Sequence, residues 1–125
     1  MKNYLLILTG ILFVCCQSQL ERPLTESEKL ADKQYYQFFG WMLFGDGDED
    51  TAIESLFKSA EAGNAEAQIE LGGCYAERPD LIKREKPDID SAVIWWLRAA
   101  EQDEWMAQRD LAYYYADIQD WKQAK

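Results

Sequence analysis

Residues 63–75 read GNAEAQIELGGCY, and this stretch returns forty residues later as DEWMAQRDLAYYY at 103–115. The two copies carry identical residues at four matching positions, namely Ala67 and Ala107, Gln68 and Gln108, Leu71 and Leu111, and Tyr75 and Tyr115. The preceding segments keep the same offset, because TAIESLFKSAEA at 51–62 aligns with SAVIWWLRAAEQ at 91–102. A fixed period of this size, with small and bulky apolar residues at helical spacing, is typical of stacked helix pairs. The repeat therefore predicts an all-α chain, an α/α solenoid of about two and a half antiparallel helix pairs.

The residues that carry the repeat also resemble a known family. The pattern A-x-A-Q-x-x-L-G-x-x-Y at 65–75 is followed by A-x-x-W-x-x-x-A-A-E-Q at 92–102. Together they resemble the Sel-one-like repeat, a relative of the tetratricopeptide repeat, over roughly residues 33–125. Two features depart from the family: residues 76–90 replace its glycine-rich loop, and Asp103 stands where a glycine usually ends the second helix. The resemblance is specific for architecture and does not indicate which partner is bound.

Residues 1–18 differ in composition from the rest of the chain. Lys2 is their only charged residue, and an apolar run of eleven residues occupies 4–14. Because a membrane-spanning helix needs about 20 apolar residues, this run is too short to cross a bilayer but fits the core of a signal peptide. Cleavage after Ser18 would release a soluble exported protein, whereas LFVCC at 12–16 resembles a bacterial lipobox with Cys16 as the lipidated residue. Both alternatives predict a protein of the bacterial envelope, in the periplasm or anchored to the outer membrane. The third interpretation is a buried first helix of the domain.

The remaining chain divides into a linker and a repeat domain. Residues 19–29 are polar and contain Pro23, so we interpret them as a linker. The repeat domain follows at 30–125, with copies at 33–63 and 64–103 and an incomplete copy at 104–125. Solenoids normally finish with a polar capping helix. The incomplete copy therefore indicates either a truncated reading frame or an open end that docks on a second copy of the chain or on another partner.

Capping residues predict where the helices begin and end. Thr25 and Glu28 have the spacing of a capping box, and Gly45 predicts a helix end near Phe44 because glycine takes the left-handed conformation at little cost. Further N-caps are predicted at Asp50 or Thr51 for the second helix, at Asn64 for the third and at Asp88 for the fourth. In the first helix, Tyr36, Phe39, Gly40 and Leu43 are predicted to occupy the places of Gln68, Leu71, Gly72 and Tyr75.

The segment 76–90 is long for a turn between paired helices, which usually takes about 2–8 residues. It contains the mixed charge run KREK at 83–86. One interpretation is a basic lip that contacts a partner or an anionic headgroup. The other is a solvated insertion at one edge of the domain, and the sequence favours this second interpretation.

The charge composition argues against nucleic-acid binding. The formal net charge is −10, with 23 acidic residues, 13 basic residues and no histidine. Nucleic-acid binding is not expected, because contacts to phosphates need a basic stripe. The acidic surface favours solubility, and an acidic concave surface that recruits a basic partner is the alternative.

Residues for catalysis or metal binding are sparse. Without histidine there is no imidazole acid or base, no histidine-based triad and no histidine zinc ligand. Cys74 is the only cysteine outside the leader and has neither a base nor a second thiol beside it in sequence. We therefore predict a protein that is not an enzyme and that uses no metal and no cofactor.

Binding to a protein or peptide remains. The resemblance implies that the first helix of each pair lines a concave face, and the side chains placed there by resemblance are Gln34, Gln37, Trp41, Ile69, Gly73, Arg109, Tyr113 and Asp117. Trp41, Gly73 and Tyr113 fall at equivalent positions, so two aromatic residues would flank a gap at the glycine. The alternative is that both aromatic side chains pack between repeats. We expect an interaction module of the envelope, with a periplasmic immunity or inhibitor protein against a secreted toxin, or a structural lipoprotein, as alternatives.

Overall fold

The computed structural model describes residues 22–102 and 104–123, and these residues form an all-helical chain. The helices are α1 (Glu26–Phe44), α2 (Glu49–Glu61), α3 (Ala65–Glu77), α4 (Ile89–Ala100) and α5 (Trp105–Gln123), with a 3-10 helix at Pro79–Ile82. The all-α class predicted from the sequence is thereby confirmed. The predicted leader at 1–18, with Cys16, and the departure at Asp103 lie outside the described residues.

Helix α1 begins and ends beside its two predicted caps, Thr25 and Gly45. The Thr25 side chain accepts a hydrogen bond from the Glu28 backbone N–H, and the Glu28 carboxylate accepts one from the Thr25 N–H at 2.7 Å, which completes the capping box. At the other end Gly45 has a φ of 67°, the left-handed conformation that glycine adopts without strain. α1 therefore begins at Glu26, inside the segment assigned to the linker.

The predicted cap of α2 was wrong by two or three residues. Asp48, rather than Asp50 or Thr51, is the N-cap, and its Oδ2 accepts hydrogen bonds from the Thr51 backbone N–H at 3.0 Å and the Thr51 hydroxyl at 2.9 Å. Asp50 and Thr51 instead lie in the first turn of the helix. All three residues are good capping types, so residue type alone does not select among them.

Helix α3 follows α2 almost without a linker. Gly63 has a φ of 102°, and Asn64 caps α3 by accepting a hydrogen bond from the Ala67 N–H at 2.9 Å. The Asn64 amide also donates to Asp32 of α1 at 2.8 Å. The N-cap predicted at Asn64 is confirmed, and its side chain additionally ties α3 to α1.

The connection between α3 and α4 is a docked segment rather than the fully solvated insertion favoured by the sequence. Leu81 and Ile82 of the 3-10 helix pack against the core formed by α1, α2 and α3. Two of the three basic residues of the run 83–86 are paired: Lys83 lies 3.0 Å from Asp50, and Arg84 lies 2.8 Å from Asp88. Asp88 caps α4 as predicted, by accepting a hydrogen bond from the Ser91 N–H. Apolar contacts at 81–82 thus hold a segment whose composition is mostly polar.

Successive helices pack against each other, and burial follows the forty-residue period. The pairs with both members buried are Ala52 and Ala92, Leu56 and Trp96, Ser59 and Ala99, Ala67 and Ala107, and Leu71 and Leu111. One hydrogen bond also recurs: the Gln68 side-chain amide donates to the Ala60 carbonyl at 3.1 Å, and that of Gln108 to the Ala100 carbonyl at 3.5 Å. Of the four identical pairs, Ala67 with Ala107 and Leu71 with Leu111 are therefore buried in both copies, whereas Tyr115 is 53% exposed and its counterpart Tyr75 is half-buried.

Helix α1 does not follow the register predicted for it. Phe38 is buried, while Phe39 is only half-buried. Tyr36 is 67% exposed, whereas its predicted counterpart Gln68 is 4% exposed. The adjacent phenylalanines lie about 100° apart on the helix, so only one can face the core. Ala31 shares the buried face with Phe38 at a spacing of two turns, and that face is the one that α1 turns towards its neighbours.

Candidate functional site

A groove lies between α3 and α5 and has a volume of about 640 Å³. We call it the α3–α5 groove. The residues that line it from these two helices include Glu66, Ile69, Glu70, Gly73, Glu77, Met106, Arg109, Asp110, Tyr113, Tyr114 and Asp117. Tyr35 of α1 and Trp96 of α4 complete its wall.

A second cavity, of about 320 Å³, lies between α1 and α3. Trp41 and Met42 line it from α1. It shares three residues with the α3–α5 groove, namely Glu70, Gly73 and Glu77. The exposed side of α3 is therefore bordered by a depression on each flank, and both depressions reach the same two turns of that helix.

Five of the eight residues predicted for the concave face line the α3–α5 groove, namely Ile69, Gly73, Arg109, Tyr113 and Asp117. A sixth, Trp41, lines the cavity on the other flank of Gly73. The structure does not bring the two glutamines to either depression. Gln37 points at α2, where its side-chain oxygen accepts a hydrogen bond from the Ser55 hydroxyl at 3.2 Å, and Gln34 is half-buried on α1. Their predicted placement fails because α1 takes a different register.

Gly73 forms the gap between the two depressions. No atom lies within 4 Å of the place where a Cβ on Gly73 would stand. Tyr113, on the α5 side, is 68% exposed, whereas Trp41, on the α1 side, is half-buried against Phe38 with ring centroids 6.1 Å apart. Trp41 thus contributes to the core as well as to the cavity, while the Tyr113 ring is available at the surface.

The charge of the groove is strongly acidic. Its lining holds five carboxylates, at Glu66, Glu70, Glu77, Asp110 and Asp117. Among the described residues that line it, Arg109 is the one cation, and its guanidinium lies 2.9 Å from Asp110. Because that pair largely cancels, the four remaining carboxylates dominate the local potential.

Glu70 lies at the centre of this surface, because it lines both depressions. Burial raises the pKa of its carboxyl above the ordinary value of 4.5, and the nearby Asp110 carboxylate raises it further. Burial, followed by the charges of Glu70 and Glu66, raises the pKa of the Tyr35 hydroxyl to about 12. The groove therefore holds negative charge where water only partly solvates it.

Sequence reasoning missed four of the five carboxylates of the groove, namely Glu66, Glu70, Glu77 and Asp110. A signal was present, because Glu66, Glu70 and Glu77 recur at helical spacing beside Gly73, and Asp110 is the repeat equivalent of Glu70. Each residue taken alone, however, would be interpreted as an ordinary solvated charge. These carboxylates come together because α3 and α5 approach each other. The spacing of residues along one helix carries no information about that approach.

Cys74 borders the cavity between α1 and α3 but is buried. Burial, followed by the charge of Glu70, raises the pKa of its thiol to about 11. The group is therefore a neutral thiol at pH 7 and a weak nucleophile. Within the described part of the chain, no three Cys, Asp or Glu side chains converge as a metal site, and no helix is long and apolar enough to cross a membrane.

Comparison of the chain with protein-family models, with curated proteins and with solved structures returned no match. What this site does must accordingly be inferred from its own residues.

Proposed function

We propose that this protein is a non-enzymatic protein–protein interaction module built from Sel-one-like repeats. In this proposal its helices form an α/α solenoid of about two and a half antiparallel pairs. The support is the recurrence of buried positions and of one hydrogen bond at a spacing of forty residues. Such recurrence is expected when equivalent repeats stack on each other.

The partner is a protein or peptide that crosses α3 and occupies the depressions on both of its flanks. The observation that carries this proposal is the pair of cavities on either side of Gly73, one bordered by Trp41 and the other by Tyr113. Their volumes, about 640 and 320 Å³, are in the range of ordinary ligand sites. Aromatic and arginine side chains are the residues that most often anchor interfaces.

Crosslinking followed by affinity capture tests this function. Trp41→Ala and Tyr113→Ala should each abolish capture of the partner that the unaltered chain retains. Tyr36→Ala is the matched control, because Tyr36 is 67% exposed, like Tyr113 at 68%, but lines neither depression. Equal capture of the partner by all three variants would mean that the binding surface lies outside the two depressions.

Helix α5 favours a second candidate, self-association. Trp105 is 64% exposed and Tyr115 is 53% exposed, and neither lines the groove. A second copy of the chain would bury these rings. Light scattering should then show a dimer that Trp105→Ala converts to monomer, and a monomer at all concentrations would exclude this candidate.

We place the protein in the bacterial cell envelope on the basis of residues 1–18. Mass spectrometry of the mature N-terminus distinguishes soluble export from lipid anchoring. A chain that begins at Gln19 indicates soluble export, and a lipidated Cys16 indicates an outer-membrane lipoprotein. An intact N-terminal Met1 in a cytoplasmic fraction would contradict both.

A further inference from the structure

The residues that line the α3–α5 groove indicate the chemistry of the partner. This inference rests on the proposed function. We infer that the bound segment is basic, and that the groove receives one of its lysine or arginine side chains, with the cationic group against Glu70 and the aliphatic stem beside Tyr113. The partner is accordingly a Lys- or Arg-bearing peptide segment of another protein.

The imbalance of charge in the groove is the first observation. Five carboxylates border it, and Arg109 is already paired with Asp110. Opposed surface potentials steer partners together and exclude partners of the same sign. An acidic peptide or a nucleic acid would therefore be repelled. A second copy of this chain, with its net charge of −10, would also bring negative charge towards negative charge.

The surroundings of Glu70 are the second observation. Its carboxylate is half-buried, and the causes of its raised pKa are burial and the Asp110 charge, with no hydrogen-bond donor among the described residues. A partly desolvated charge without a partner is unfavourable, and a cation placed beside it removes that cost. The free protein therefore holds a carboxylate that is better satisfied in a complex than alone.

The apolar wall of the groove is the third observation. Tyr35, Trp96, Met106, Tyr113 and Tyr114 border the same space as the carboxylates. Lysine and arginine suit such a site, because their stems pack on apolar surface while their charged ends reach polar groups. Arginine also packs over aromatic rings. The chain already contains this contact at Arg98 over Trp95, with the guanidinium carbon 4.7 Å from the ring centroid.

Selection from a phage-displayed library of random dodecapeptides on the full chain tests the inference. Enriched peptides should contain more lysine and arginine than the unselected library. A synthetic copy of an enriched peptide should bind about tenfold more weakly to Glu70→Gln, because the ion pair is lost. Glu61→Gln is the matched control, since Glu61 is exposed at the end of α2 and borders neither cavity, and it should leave the affinity unchanged.

The outcomes separate this inference from the proposed function. Peptides that are enriched without lysine or arginine, but that lose binding in Tyr113→Ala, would overturn the basic specificity and retain the interaction module. Basic peptides that bind Glu70→Gln as tightly as the unaltered chain would also overturn it, because they would bind the acidic surface nonspecifically. A selection that enriches no peptide would contradict the proposed function itself.

Discussion

Two adjacent glycines in α3 meet opposite surroundings. A Cβ on Gly72 would overlap the indole nitrogen of Trp96, whereas a Cβ on Gly73 would stand in open space. The Trp96 indole is itself buried and donates a hydrogen bond to the Ile69 carbonyl at 3.3 Å. The close approach of α4 therefore requires glycine at 72, while the glycine at 73 only leaves room in the groove.

Alanine substitutions at these two glycines should change stability in opposite directions. Gly72→Ala should lower the free energy of unfolding by about 1–3 kcal/mol, because the Trp96 ring must move in a packed core. Gly73→Ala should raise it by up to about 1 kcal/mol, because alanine has the higher helix propensity and meets no atom. Urea denaturation followed by circular dichroism measures both values. Equal effects of the two substitutions would contradict the described packing of Trp96.

The ionised Glu70 side chain should destabilise the free protein. Its folded pKa is raised, so the folded state holds the proton more tightly than the unfolded chain does. The contribution of Glu70 to the stability of the folded state is therefore most favourable at pH values below 4.5, the ordinary glutamate pKa. This contribution is lost as the pH rises through the raised pKa. Glu70→Gln should accordingly raise the melting temperature at pH 7, and the gain should disappear near about pH 4. The titratable and charged groups that border the same two depressions and can modulate this effect include Tyr35, Glu66, Cys74, Glu77, Arg78, Arg109, Asp110 and Asp117.

Glu61→Gln serves again as the control, because it removes the same charge from a fully exposed position. Its melting temperature should match that of the unaltered protein at both pH values. A lower melting temperature of Glu70→Gln at pH 7 would show that the Glu70 carboxylate stabilises the free protein. That result would contradict the description of this carboxylate as partly buried and unpaired.

At the scale of elements, the N-caps do more than start helices. Asn64 caps α3 and also donates to Asp32 of α1, so one side chain links the start of one helix to the side of another. Asn64→Ala should cost about 1–2 kcal/mol in the free energy of unfolding, because both hydrogen bonds are lost.

Asn64→Asp separates the two contributions. Aspartate keeps the capping oxygen but replaces the amide donor with a second carboxylate facing Asp32. A variant that remains as stable as the unaltered protein in urea denaturation would show that the link to α1 contributes nothing beyond the cap.

The start of α1 should be sensitive to acid. The hydrogen bond from Arg22, together with the hydrogen bonds from Thr25, lowers the pKa of the Glu28 carboxyl to about 2. Because this folded pKa is depressed, its stabilising contribution is present above 4.5, the unfolded value, and is lost as the pH falls towards 2. A titration of the Glu28 side chain by nuclear magnetic resonance should give this low pKa, and Arg22→Ala should raise it. A Glu28 pKa near 4.5 in the unaltered chain would mean that neither the pair nor the capping box persists in solution.

At the scale of the whole molecule, equivalent residues occupy unequal surroundings. Leu71 is fully buried in the cluster formed by α1, α2 and α3, whereas Leu111 is 7% exposed in the cluster that α5 forms with α4. Leu71→Ala should cost about 2–5 kcal/mol in the free energy of unfolding, and Leu111→Ala should fall near the lower end of that range. Urea denaturation compares the two variants directly. A larger cost at Leu111 would mean that α5 is packed more completely than the described contacts indicate.

The sequence by itself determined the helices and the spacing of their buried residues. Caps such as Thr25, Asn64 and Asp88 act through hydrogen bonds to backbone only three residues away, and the forty-residue period repeats the same small and large side chains. Local chemistry of this kind is readable without coordinates.

The tertiary structure alone decided which side of α1 faces the core and which charges meet in the groove. Phe38 and Phe39 are equivalent in propensity, and only the approach of the neighbouring helices selects Phe38 for burial. Glu70 and Asp110 lie forty residues apart on different helices, and Asp110 raises the Glu70 pKa because α3 and α5 border one cavity. Coulombic coupling and burial depend on distances through space, and the order of residues along the chain does not specify those distances.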